Sequence, residues 1–307
     1  MTKHEVWQMI KEKNIRKLMV IPGKKVSLNR FETGWAQNDE LKKVGKDALK
    51  DRAAALLEAN RIVLAEAQEL LWASNIYSVL IVLQGMDTSG KDGTIKHVMS
   101  GVNPQGCRVT SFRVPTSEET DHTFLWRYTR ALPAKGEIGI FNRSYYEDVL
   151  VVRVHPEILD NQQVPPGKRG DTFWNARYED INAFERHLVQ NGTLILKFFL
   201  NISKEEQRRR LLERLENKEK YWKFSLLDLA ERRYWDNYQE AYEIMFLKTS
   251  TEMAPWYIIP ADYKWVARSL IAEIISQKIQ MLDLRFPHVS AEGLKELEKA
   301  REELKSE

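Results

Sequence analysis

Eight residues, Gly85-Met86-Asp87-Thr88-Ser89-Gly90-Lys91-Asp92, follow directly on the apolar run Ser78-Val79-Leu80-Ile81-Val82-Leu83-Gln84. They fit the spacing Gly, four residues, Gly-Lys of a phosphate-cradling loop in all but the last position. Glycines suit such a loop because the backbone must pass close to phosphate oxygens and turn its N–H groups toward them, which a Cβ obstructs. The lysine adds a mobile positive charge. Residues 93–99, with Ile95, Val98 and Met99 at helical spacing, predict a helix opening from the loop, whose N-terminal dipole also favours an anion. Gly85, Gly90, Lys91, Asp92 and Gly93 are therefore candidate phosphate-binding residues.

One position departs from the rule. Where phosphate-loop enzymes usually place a Ser or Thr hydroxyl on Mg²⁺, this chain has Asp92, and it carries a second acid, Asp87, inside the loop. Carboxylates repel phosphate unless a cation lies between them, so Asp87 reads as a Mg²⁺ ligand, direct or through water, and Asp92 as a first-turn helix acid beside the metal shell. The plainer alternative is a glycine-rich turn with Asp92 capping the helix.

Further apolar runs occur at residues 108–112, 138–141, 193–200 and 256–259, each next to a helix-like stretch. Strands alternating with helices predict an α/β fold with a parallel sheet covered on both faces, and ligands bind such sheets at the carboxyl ends of their strands. Before the first strand, Ala48, Leu49, Ala53, Leu56, Leu57, Val63, Leu64, Ala67, Leu70 and Leu71 recur at helical spacing and predict one long or two consecutive amphipathic helices. Residues 1–40 carry few periodic signals and read as an irregular arm.

Composition excludes several classes. Apolar residues at 43% and charged residues at 30% describe a globular chain, and no run approaches the ~18 apolar residues of a membrane helix. The first five residues lack an apolar signal core and the lone Cys107 has no internal disulfide partner, which together place the chain in the cytoplasm. A net charge of +3 does not argue for nucleic acid, and no recognition module for it is present. His97, His122, His155 and His187 lack metal spacing. Basic residues do cluster: Arg208, Arg209, Arg210, Arg214, Lys218, Lys220 and Lys223 lie close together among Glu205, Glu206, Glu213, Glu216 and Glu219. Helical ion pairing accounts for Arg209, Lys218 and Lys220.

After the third apolar run comes Phe141-Asn142-Arg143-Ser144-Tyr145-Tyr146-Glu147-Asp148-Val149. Arg143 offers a guanidinium fork suited to phosphate oxygens, Asn142 can hydrogen-bond phosphate or metal-bound water, and Glu147 and Asp148 offer carboxylates. A helix start decorated with acids is the alternative. This motif, the loop, Gly101-Val102-Asn103-Pro104, residues 196–207, Trp222-Lys223-Phe224 and Ala254-Pro255-Trp256-Tyr257 together resemble the type 2 polyphosphate kinase family over roughly residues 45–285.

The resemblance implies a phosphotransferase acting between inorganic polyphosphate and nucleotides with Mg²⁺, on a phosphate-loop kinase fold similar to thymidylate kinase, a five-stranded parallel sheet flanked by helices. It divides the chain into an N-terminal arm and helical extension (1–75), a kinase domain (76–285, lid about 205–232) and a C-terminal tail (286–307). Carried over residue by residue, Asp87 and Asp148 hold Mg²⁺, Gly90 and Lys91 cradle phosphate, and Asn142, Arg143 and Glu147 line the transfer site. Arg208, Arg210, Arg214 and Lys223 face phosphates from the lid. Asn142, where diphosphate-specific members have Asp, resembles the class acting on both AMP and ADP; adenine and guanine nucleotides are the implied acceptors, and a dimer or tetramer the implied assembly. An ATP-dependent nucleoside monophosphate kinase would share loop, lid and fold, but Asp92 and the Asn142-Arg143-Ser144 sequence argue against it. A silent binder would be expected to lose Asp87, Lys91, Arg143 or Asp148, all of which are present.

Overall fold

The computed structural model describes residues 15–36 and 39–307, so the residues read for a targeting signal lie outside it. Five parallel strands, β1 (Ser78–Gln84), β2 (Cys107–Ser111), β3 (Ile138–Asn142), β4 (Thr193–Asn201) and β5 (Trp256–Pro260), form one sheet in the order β2-β3-β1-β4-β5. β1 lies at its centre and is buried at every position, as a strand covered on both faces must be.

Alternation divides the apolar residues between two cores. Leu80, Val82, Phe141, Ile195 and Phe199 point to one face, where Tyr178 and Ile181, then Tyr242 and Phe246, cover them from two later helices. Val79, Ile81, Leu83, Ile140, Phe198 and Leu200 point to the other, against Leu64 and Leu71 on one side and Ile271 and Ile275 on the other. Each such side chain contributes about 1.5–3 kcal/mol when fully buried. The layers are α1 (Lys46–Ser74), α2 (Lys91–Val98), α3 (Asp171–Gln190), α4 (Lys204–Glu216), α5 (Leu226–Glu231), α6 (Trp235–Thr249) and α7 (Lys264–Gln280), followed by α8 (Ala291–Ser306), which buries none of its own residues. Of the expected one long or two consecutive N-terminal helices, the periodic residues Ala48 to Leu71 all fall on the single long α1, which a short helix, Asp39–Val44, precedes. Among the described residues no helix is long and apolar enough to cross a membrane.

The described part of the arm is docked, a contact that weak periodicity did not reveal. Met19 pairs with Tyr257 in an antiparallel bridge, and Val20 N–H donates to the Trp256 carbonyl at 2.8 Å, with Leu18, Val20, Val26 and Leu28 buried. These contacts cover the otherwise open edge of β5.

Candidate active site

The loop between β1 and α2 is shaped by two glycines. Gly85 (φ +153°) sits where a Cβ would come within 3.0 Å of the Leu200 carbonyl oxygen, so the chain can pass beside β4 only without a side chain. Gly90 (φ +104°) turns the chain into α2. Lys91 folds back over the loop, its Nζ donating to the carbonyls of Gly85 at 2.6 Å and Met86 at 3.3 Å. Burial, reinforced by Arg143, pulls its ammonium down to about 8.

From the end of β3, Arg143 joins the loop to the second motif. Its Nη2 donates to Asp87 Oδ1 at 2.7 Å and its Nη1 to Glu147 Oε2 at 3.3 Å; Glu147 foremost, then Asp87, holds it firmly protonated. Its backbone takes the left-handed region (φ +65°), an unfavourable state for a side-chain-bearing residue, held while its N–H continues the ladder to Leu83. Asn142 donates from Nδ2 to Asp92 Oδ1 at 2.6 Å. The turn Tyr145–Val149 is anchored by a buried network that gives no sequence signal beyond a lysine inside an apolar strand. There Tyr145 and Tyr146 each donate to Glu185 Oε1 at 2.7 Å, and Lys197 donates to Glu185 Oε2 at 2.7 Å and the Thr249 carbonyl at 2.7 Å.

These elements open onto a cavity of about 340 Å³ at the carboxyl ends of the strands. Lys91, Arg143, Arg210, Arg214, Lys220, Lys223, Lys264 and Arg268 line it against three acids, Asp87, Asp92 and Glu213. So dense an excess of cations in one concavity suits a polyanion. The loop acids, Asn142, Arg143, Arg214 and Lys223 thus come together as the sequence led one to expect, with Glu147 joined through Arg143.

Arg208 is not among them: it points to solvent and pairs with Glu205 at 2.6 Å. Arg210 is buried, and it braces the loop, donating to the carbonyls of Thr88, Ser89, Ala261 and Asp262 and to Glu206. Arg210→Ala is expected to cost about 3 kcal/mol or more, because these acceptors lose a buried partner. Urea melts check this, with Arg208→Ala expected to leave the midpoint in place; an unchanged midpoint for Arg210→Ala contradicts the bracing role.

Asp148 likewise does not share a cavity with Asp87. It is buried, accepting from Gln162 Nε2 at 2.8 Å and lying 3.6 Å from Arg177 Nη1, and burial pushes its carboxyl up to about 6 against the pull of Arg177. The two expected metal ligands, Asp87 and Asp148, thus line different cavities, and Asp148 has other partners than its neighbour Glu147. Lys264 and Arg268, one helical turn apart just after β5, were missed, as was the cavity-facing placement of Lys220. Only the rule that ligands gather at strand carboxyl ends pointed to the first two.

Mg²⁺ takes oxygen ligands, commonly one or two protein carboxylates with the rest from phosphate and water. Asp87 and Asp92 offer carboxylates in this cavity, and the buried Asn142 Oδ1 and Thr88 Oγ1 have no protein partner. The donor set fits the ion.

A phosphate loop at the end of β1, an arginine at the end of β3 and a basic helical segment over both define a phosphate-loop kinase. A sequence profile described as polyphosphate kinase 2 matches residues 47–287. The chain belongs to the polyphosphate kinase 2 family. It is 46% identical to an ADP-polyphosphate phosphotransferase of Rhodopseudomonas palustris, over 96% of this chain and 99% of that one. It is 49% identical to an AMP/ADP-polyphosphate phosphotransferase of Meiothermus ruber, over 89% of this chain and 96% of that one. The crystal structure of polyphosphate kinase 2 from Arthrobacter aurescens TC1 superposes with a TM-score of 0.78 at 38% identity, covering 91% of this chain and 97% of that one.

Proposed function

We propose that this chain transfers the terminal phosphoryl group of inorganic polyphosphate to AMP and to ADP, with Mg²⁺. The cationic cavity over the phosphate loop carries the reading, and the Meiothermus ruber relative together with Asn142 supports acceptance of both nucleotides. An oxygen of the acceptor's terminal phosphate attacks the end phosphorus of the polymer. The bridging P–O bond breaks, and the shortened polymer leaves with the electron pair. The acceptor is already an anionic nucleophile, so the protein supplies alignment and charge and no dedicated base. Lys91 and Arg143 neutralise the transferring group, Gly85, Gly90 and Gly93 shape the cradle, and Arg214, Lys220, Lys223, Lys264 and Arg268 hold the polymer. Asp87, with Asp92 and Asn142 beside it, would hold Mg²⁺, which when bound would shield charge between the phosphates. Residues 205–232 act as the lid, bringing Arg214 and Lys223 over the site and excluding water. Guanine nucleotides as further acceptors, a cytoplasmic location and a homo-oligomer complete the proposal. The exposed Leu294, Leu297 and Leu304 of α8 favour self-association.

Luminescent detection of ATP from polyphosphate with AMP or ADP tests the reading. ATP from both supports it; ATP from ADP alone restricts the acceptor and removes the weight placed on Asn142. Phosphorylation of AMP by ATP but not by polyphosphate would restore the nucleoside monophosphate kinase.

Lys91 also sets an expected pH dependence. Its ammonium is the phosphate-binding form, and deprotonation as pH rises through about 8 removes it. The kcat/KM for polyphosphate is therefore expected to fall about tenfold per pH unit above that point, and Lys91→Arg, charged throughout, to lose this limb. An identical alkaline limb in the variant would assign it elsewhere.

A further inference from the structure

From Arg16 to Phe31 the docked arm holds five cations, Arg16, Lys17, Lys24, Lys25 and Arg30, and no acid. All five are exposed, and among the described residues none of their side chains makes a hydrogen bond or an ion pair. A face that only meets solvent mixes its signs and pairs them, as α4 does with Arg208 on Glu205 and Arg209 on Glu206. Packing does not need the arm's charges either, because Leu18, Val20, Val26 and Leu28 supply its buried contacts. The five cations instead surround a cavity of about 920 Å³ with one acid in its lining, Glu243, which accepts from the Leu28 N–H at 2.7 Å.

This cavity follows the edge of the sheet toward the phosphate site. The bridge of Met19 with Tyr257 lays the arm along β5, and after the turn in which Lys24 N–H donates to the Ile21 carbonyl the chain returns to Thr33, whose carbonyl accepts from Asp262 N–H at 2.9 Å just beyond the end of β5. The five residues of β5 measure about 15 Å, so the cations are spread along that distance. Arg30 also lines a neighbouring cavity of about 410 Å³ together with Lys204. Beside it the Asp262 carboxylate accepts from Ser203 N–H at 2.7 Å, and Ala261 and Lys264, flanking Asp262, already belong to the phosphate cavity.

A row of unpaired cations suits a flexible polyanion recognised by charge. Phe31 is the one aromatic ring in the lining and packs against the core, so bases of a single-stranded nucleic acid find no platform for stacking. We propose that the arm is a second anchoring site for inorganic polyphosphate, which holds a distal stretch of a long chain while the chain's end lies in the phosphate cavity. The second site rests on the proposed phosphotransfer and adds a chain-length preference to it. Once one stretch of polymer is held, the other binds at a raised effective concentration, whereas tripolyphosphate is too short to reach from the phosphate cavity to the arm.

Calorimetry with long-chain polyphosphate and with tripolyphosphate, in the absence of nucleotide, tests the site. The triple variant Lys24→Gln, Lys25→Gln, Arg30→Gln changes only exposed positions outside the phosphate cavity. It is expected to weaken binding of the long chain about tenfold or more and to leave tripolyphosphate within about twofold, while Lys264→Ala weakens both. The slope of log Kd against log salt for the long chain should fall by about two for the three charges removed. In turnover, KM for the long chain should rise with kcat unchanged. Equal long-chain affinity in variant and parent, or an equal loss for tripolyphosphate, overturns the proposal. A single-stranded RNA that binds the parent as tightly as polyphosphate of the same charge, and loses as much in the variant, also overturns it and makes the arm a nucleic-acid site. If the enzyme forms no ATP from polyphosphate, the proposed reaction fails, but binding measured without nucleotide still decides what the arm holds.

Discussion

Lys91→Ala is expected to lower kcat by about three orders of magnitude or more, a loss of about 4 kcal/mol of transition-state stabilisation. In the structure its ammonium caps the carbonyls of Gly85 and Met86, the oxygen-rich side of a loop that must accept more negative charge. Alanine removes the one cation that follows the glycine turn directly, and leaves those carbonyls facing incoming phosphate. Its effect on stability is read separately, because the two carbonyl partners of Lys91, on the buried Gly85 and Met86, lose a donor. Steady-state kinetics together with a thermal melt separate the two effects. A folded Lys91→Ala enzyme with kcat within tenfold of the parent would place phosphoryl transfer outside this loop.

Arg143→Lys should be nearly as damaging, lowering kcat by about 100-fold, with Arg143→Ala lower by a further tenfold. One guanidinium holds Asp87 on one arm and Glu147 on the other. An ammonium on a flexible stem cannot reproduce both contacts in one plane. Losing the pair also leaves two carboxylates uncompensated where the phosphoryl group passes. Added guanidinium ion is expected to restore part of the activity to Arg143→Ala and none to Lys91→Ala. Equal rescue of both, or wild-type turnover by Arg143→Lys, contradicts a forked role.

Much of the fold was legible because buried parallel strands read as short apolar runs, and all five runs became strands. Their order across the sheet was not, since no local pattern encodes which strand lies beside which. Nor was the arm on β5, where a single bridge and a few buried side chains leave no periodicity. At the site, the loop and the Asn142-Arg143 motif were readable because glycine spacing and a strand end constrain chemistry locally. The basic helix misled through its phase. Residues 208 and 210 lie roughly 200° apart on a helix, so Arg208 and Arg210 cannot face one cavity together. Gln207, Arg210 and Leu211 form the buried face of α4, and Arg208 falls on the other side. Asp148 parts from its neighbour, because in the tight turn Tyr145–Val149 adjacent side chains diverge and of the two only Glu147 reaches Arg143. Lys264 and Arg268 were hidden because they open an ordinary amphipathic helix, and only tertiary placement at the end of β5 makes them part of the site.

Direct transfer at a single site is tested most plainly by following the phosphorus itself. With polyphosphate labelled by ³²P at its ends, ADP and Mg²⁺, the label is expected in the γ-phosphate of ATP from the first turnover, with none retained on the protein after denaturing gel filtration. Label recovered as a stable phosphoprotein, or released as orthophosphate without ATP, would contradict direct transfer from polymer to nucleotide.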